Sequence, residues 1–310
     1  MSASFSSALA AAREAAGSQH YPQGALYVVA TPIGNLADIS LRALYVLALA
    51  DRIACEDTRH TQALLRAYGI DKPGAQLLAV HQHNEAQAAH TVVEHLHSGL
   101  RVAYVSDAGT PGVSDPGARL VAQVRAQGLR VVPLPGASSV TTLLSAAGVA
   151  QDGAGSSSFV FAGFLPAKAA ERAHAVQLLS AQPMATVLLE APHRMEAMSL
   201  ALEVLGARKV TLGRELTKQF EEIATMQADG LAAWLAEDSN RLRGEFVLVV
   251  HPLEQMAEAA QDDRLLKLLL EHLPLKTAVK LAADISGEPR NALYERALAL
   301  KAAPGEKAAD

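Results

Sequence analysis

The chain has 310 residues, half of them apolar, with a formal charge of −5 and one cysteine. That length and apolar share suffice for about two packed domains. They exclude a transmembrane helix, since no apolar run approaches the ~18 to 20 residues a span requires; the lone Cys55 excludes an internal disulfide or a cysteine-built metal site; and the negative charge excludes a surface coated in basic residues.

Residues 1–23 are Ala- and Ser-rich without a basic segment followed by an apolar core, so they read as a flexible extension, not a secretory signal, and the cytoplasm is the expected compartment. Next come short apolar runs expected as buried strands at Leu26–Ala30, Arg52–Cys55, Leu77–Val80, Val102–Ser106 and Val131–Leu134. Between them, Leu41–Ala50 and Ala118–Gln127 have helical spacing. Strands and helices in alternation predict a mostly parallel α/β sheet.

A boundary is expected near Pro135, dividing an α/β domain at 24–135 from a second at 136–253. The second carries expected strands at Phe159–Gly163, Thr186–Glu190, Val210–Gly213 and Phe246–Val250, with helices near Ala167–Ser180 and Met195–Leu205. Beyond Pro252 the pattern turns wholly helical, predicting a small unit at 262–301. Within it, Leu275–Asp284 and Pro289–Leu300 flank a Gly-bearing turn and suggest a helix-turn-helix, with a plain helical cap as the alternative. From Arg264 to Lys301 there are seven Lys or Arg against four acids, a basic patch on an acidic chain.

No G-x-G-x-x-G follows the first strand, and no P-loop is present. Instead, three loops rich in Gly, Pro and small residues follow expected strands: Thr31–Leu36 (TPIGNL), Asp107–Gly117 (DAGTPGVSDPG) and Pro135–Ser139 (PGASS). At the carboxyl ends of parallel strands such loops form ligand sites. Glycine there brings a ligand close to backbone N–H and C=O groups, and Thr110, Ser114 and Ser138 add hydroxyls.

These runs, together with EDTRHT, HNE, FVFAGFLP, EAPHR, GRELTKQFEE and GEFVLVV, resemble the ribosomal RNA small subunit methyltransferase I family of the tetrapyrrole methylase superfamily. The resemblance covers about Gly24–His251, and the helical tail resembles the family's C-terminal extension. It implies a class III methyltransferase fold of two α/β domains, S-adenosylmethionine as methyl donor without a metal, a homodimer, and 2′-O-methylation of cytidine 1402 in 16S rRNA of the 30S subunit. By position it implies cofactor contacts at Pro32, Asp107, Gly109, Thr110, Val113, Ser114, Pro135, Gly136, Ala137 and Ser138. The form of the first loop, Thr31 to Asn35, is that of the RNA branch, so an RNA acceptor is expected over a tetrapyrrole or other small molecule. A nucleic-acid-binding regulator built on the tail is the non-enzymatic alternative.

For the chemistry, Glu56, Asp57 and Arg59, then His83 and Glu85, stand at expected strand ends as candidates to accept a hydroxyl proton or orient the acceptor; the competing reading is a capping and ion-pair network. Arg194, Arg214, Lys218, Lys276, Lys280 and Arg290 are candidates for RNA phosphates. Histidines 81, 83, 90, 95 and 97 do not complete a metal-ligand pattern, and Cys55 is expected as a small buried hydrophobe.

Overall fold

A computed structural model describes residues 5–81, 84–114, 116–149, 158–253, 264–287 and 289–302. Met1–Leu253 and Glu254–Asp310 form two compact units. The first unit contains two five-stranded sheets.

In the first sheet, β1 (Ala25–Val29), β2 (Arg52–Cys55), β3 (Leu77–Ala79), β4 (Val102–Val105) and β5 (Arg130–Leu134) lie in the order β3-β2-β4-β1-β5. Every pairing is parallel. Helices cover both faces, which is why β1 and β4 are apolar throughout instead of alternating. On one face α1 (Ser6–Ala16), α2 (Leu41–Leu49) and α3 (Thr58–Ala67) enclose Tyr27, Leu44, Leu47, Ile53 and Leu65. On the other, α4 (Glu85–His97) and α5 (Ala118–Ala126) enclose Leu26, Val92, Leu96, Tyr104 and Leu120. Local caps fix where helices begin: Ser40 Oγ accepts from the Ala43 amide at 3.1 Å to start α2.

Residues 6–16 correct the expected loose extension. They form α1, with Ala12 and Ala16 buried against the core and Phe5 set edge-on to Tyr68 at 5.3 Å between ring centroids. The small alanines behind that expectation are what allow close helix packing.

After α6 (Ser139–Ala146), the second sheet is built from β6 (Phe159–Phe164), β7 (Ala185–Glu190), β8 (Lys209–Arg214), β9 (Glu222–Gln227) and β10 (Phe246–Val250), in the order β6-β7-β10-β8-β9. Only β6 and β7 are parallel; β10 runs antiparallel to both its neighbours and β9 antiparallel to β8. One face packs on α7 (Ala169–Ser180), α8 (Met195–Leu202) and α9 (Leu231–Ala236) through Val176, Met198, Leu202, Leu231 and Leu248. The other meets α6 through Val140, Leu143, Val187 and Val249.

The second unit comprises α10 (Arg264–His272), α11 (Leu275–Ser286) and α12 (Arg290–Ala302) around Leu266, Val279, Ala282, Leu293 and Ala297. Gly287, in the left-handed conformation (φ 75°), closes α11.

Candidate active site

Since β4, β1 and β5 are parallel neighbours, the three small-residue loops emerge side by side at their carboxyl ends. The first two are tied directly: the Thr31 amide donates to the Gly109 carbonyl at 2.9 Å and the Gly109 amide returns the bond at 3.0 Å. The second and third are joined by Thr110 Oγ1, which donates to the Ala137 carbonyl at 3.0 Å. Gly109 has a φ of 79°, a conformation glycine adopts without strain, and a Cβ there would sit 3.3 Å from Ile33 Cγ2.

These loops form one wall of a cleft of about 320 Å³. Gly109, Thr110, Val113, Ser114 and Ser138, all expected cofactor contacts, line it. The other wall comes from the second sheet, including Phe164, Ala191, Pro192, Leu216 and Phe246. Pro32, within the first loop, is buried and does not line the cleft, and Pro135, Gly136 and Ala137 also stand outside the wall, in the segment that leads to Ser138. Asp107 also lies outside it, its Oδ1 accepting from the Asp57 amide at 3.2 Å.

No residue of the second wall is among the expected cofactor contacts, because Leu189, Phe246 and Val247 sit in apolar runs that read simply as strands. In EAPHR, Glu190 has a fully buried side chain whose Oε1 accepts from the Ala191 amide at 2.8 Å and stands 3.1 Å from Arg194 Nε. Arg194 also donates to the Leu165 carbonyl. This pair shapes the turn that sets Ala191 and Pro192 in the cleft.

The polar candidates separate by environment. Asp57 caps α3, accepting from the Arg59 amide at 2.7 Å and the His60 amide at 3.3 Å, and pairs with the Arg59 guanidinium at 3.2 Å. Hydrogen bonding to Arg59 holds its carboxyl below the usual range. Arg59 itself is exposed. Glu85 is buried, its Oε1 accepting from the amides of Gly117 and Arg119 at 3.0 Å and Leu120 at 3.3 Å, which makes it the cap of α5. Proton transfer by that oxygen would release three amides, so Glu85 is corrected from a candidate base to a support of the second loop. Glu56 differs: burial, then the neighbouring Asp107 charge, push its carboxyl up. His83 lies outside the described residues. Cys55 is buried, and burial raises its thiol to about 11, away from thiolate chemistry.

The cations of the first unit also need correction. Arg194 is turned inward as described. Arg214, nearly buried, pairs with Glu222 at 3.1 Å and donates to the carbonyls of Asn240 and Arg243. Lys218 pairs with Glu215 at 2.9 Å and Glu245 at 3.2 Å; burial opposes its charge, but the two carboxylates outweigh it and hold the ammonium above its ordinary range. All three cations are engaged by protein groups, and Lys218, with 29% of its side chain exposed, is the most open of them. Lys276 and Lys280 are exposed on α11, and Arg290 pairs with Asp284 at 3.0 Å on the surface.

The sequence pattern of the tetrapyrrole (corrin/porphyrin) methylases matches residues 25–232, and that of the RsmI C-terminal HTH domain matches 256–301. Ribosomal RNA small subunit methyltransferase I of Escherichia coli O157:H7 is 48% identical over 280 residues, covering 89% of this chain and 95% of that protein. Its namesake from Vibrio cholerae is also 48% identical, over 281 residues covering 88% and 95%. The chain belongs to the ribosomal RNA small subunit methyltransferase I family. Its architecture recurs in solved structures. Cobalt precorrin-4 methyltransferase superposes with a TM-score of 0.54 at 17% identity, covering 74% of this chain and 98% of that one. Diphthine synthase gives 0.55 at 13%, covering 73% and 90%. At such identities the likeness is one of fold. The family's helical domain accounts for α10 to α12, and the helix-turn-helix expected from Leu275 onward is part of it.

Proposed function

We propose that this chain transfers the methyl group of S-adenosylmethionine to the 2′-oxygen of a cytidine ribose in 16S rRNA, at cytidine 1402. The observation that carries the reading is the 48% identity, over nine-tenths of the chain, to ribosomal RNA small subunit methyltransferase I. The cleft supports it. Its glycine-bearing loops expose backbone groups and the Thr110, Ser114 and Ser138 hydroxyls for the polar methionine end, and Phe164, Pro192 and Leu216 offer apolar surface for the base.

When bound, the cofactor supplies a sulfonium methyl that needs no metal and no covalent enzyme intermediate. The chain's own contribution is to bind, to orient the ribose hydroxyl in line, and to accept its proton. Among the described candidate carboxylates, Asp57 is engaged with amides and Arg59, and Glu85 caps a helix. Glu56, which directly follows β2 and accepts from one amide, that of Asp107, is our choice for the proton, because burial and then the Asp107 charge raise its carboxyl.

Tritiated S-adenosylmethionine with 30S subunits from a strain lacking the endogenous enzyme tests the assignment. Label confined to the 2′-oxygen of cytidine 1402 is expected; label only in small tetrapyrroles would overturn it. The exposed Lys276 and Lys280 give a further prediction. Lys276→Glu with Lys280→Glu should raise KM for the RNA and flatten its salt dependence by roughly one unit of log–log slope per lost phosphate contact. Cofactor affinity, measured calorimetrically, should stay the same.

A further inference from the structure

The segment joining β8 to β9, residues 215–221, is irregular in two ways that cost free energy. Glu215 (φ 51°) and Thr217 (φ 65°) both hold left-handed backbone without being glycine, a conformation that L side chains rarely adopt and that is strained. Bonds on all sides keep them there. The Lys218 amide donates to the Glu215 carbonyl at 3.0 Å, the Glu221 amide to the Lys218 carbonyl at 3.1 Å, and the Thr217 amide to Glu221 Oε2 at 2.6 Å. Across the loop, Glu215 Oε1 accepts from the Glu245 amide at 3.0 Å.

This rigid loop borders the cleft, because Leu216 and Glu245 line it. It also rests on the first loop: a Cβ at Gly34 would fall 2.4 Å from Lys218 Cγ. At its outer end stands Phe220, 71% exposed; among the described residues no large apolar side chain is more exposed. The surrounding cations are all engaged, Arg214 and Arg241 with Glu222 and Lys218 with Glu215 and Glu245. The loop therefore has little charge to offer a phosphate. What it presents is a bare aromatic face.

We propose that Phe220 is a stacking platform for an unpaired nucleobase of the RNA acceptor, held beside the cleft by the strained Glu215–Glu221 loop. The proposal rests on the rRNA assignment above. Single-stranded RNA is recognised by stacking splayed bases on aromatic side chains, and an exposed ring whose neighbouring cations are already paired, with the Glu221 carboxylate next to it in the chain, suits a base better than a phosphate. A pre-formed loop spends its ordering cost on folding instead of on binding, which is a reason to tolerate the strain.

The test compares full-length wild type with Phe220→Ala and Phe220→Trp on 30S subunits. Removing one stacking platform should raise KM roughly ten-fold or more. Affinity for S-adenosylhomocysteine should not move, and tryptophan should restore KM. An unchanged KM in Phe220→Ala, or no rescue by tryptophan, overturns the proposal. So does a fall in sedimentation mass on the alanine change, which would place the ring between copies of the chain. Failure of the wild type to methylate the RNA would instead overturn the rRNA assignment, and this proposal with it.

Discussion

Glu56→Gln is expected to lower kcat for RNA methylation by roughly 10² to 10⁴-fold, the usual contribution of a positioned general base, with little change in cofactor affinity. Glutamine keeps the shape of the side chain and an acceptor for the Asp107 amide, which bonds to the Glu56 carboxylate, but it cannot take a proton. The pH dependence has a definite sign. Burial and then the Asp107 charge raise the Glu56 carboxyl, so wild-type kcat should fall as pH drops through a value above the ordinary carboxylate range, and the variant should lack that limb. Stability adds a second readout. A carboxyl raised on folding contributes stability that is fully present below its unfolded value, about 4.3, and is lost as pH rises through the folded one. Glu56→Gln should therefore gain stability relative to wild type at neutral pH and lose that advantage near pH 4. A stability gain without loss of kcat would identify Glu56 as a loop carboxylate and nothing more.

The parts of this molecule legible in its sequence are those with local causes. β1 and β4 are read as strands because burial on both faces requires a continuous apolar run, and α3 is announced by Asp57 at its cap. The loops at 31–36 and 107–117 are legible through glycine and proline, and chain order alone places them at strand ends. What could not be read depends on distant partners. β9 is a six-residue edge strand with alternating burial, and its charged approach, GRELTKQFEE, masks so short a period. The antiparallel entry of β10 between β7 and β8 is a topological fact that no apolar run reveals. Arg194 and Arg214 are the instructive cases. A sequence shows a cation but not its partner, and only the fold brings Glu190 and Leu165 to one and Glu222 to the other.

Glu85 shows the same dependence with the largest consequence for stability. Replacing it by alanine is expected to cost about 3 to 5 kcal/mol, since the amides of Gly117, Arg119 and Leu120 lose one charged acceptor in a place where water cannot freely take over. The urea midpoint measures that loss. Glu85→Gln retains a neutral acceptor of the same reach and should lose less, which separates the charge from the cavity. Cofactor binding should suffer as well, for a reason traceable along the chain. Gly117 ends the loop that carries Gly109 to Ser114, and its φ of 120° with a hypothetical Cβ only 2.3 Å from Tyr104 Cε1 leaves no room for a side chain at that point. Among the described residues, Glu85 on the Gly117 amide and the Tyr104 hydroxyl donating to the Pro116 carbonyl at 2.5 Å hold that end. With the first removed, the loop pivots on the second. Calorimetry at low temperature, where the variant is still folded, should then show weaker binding of S-adenosylhomocysteine, with a larger unfavourable entropy as the loop is ordered on binding. Unaltered affinity in a folded but destabilised variant would mean that Thr31 and Ala137 fix Gly109 and Thr110 without help from α5.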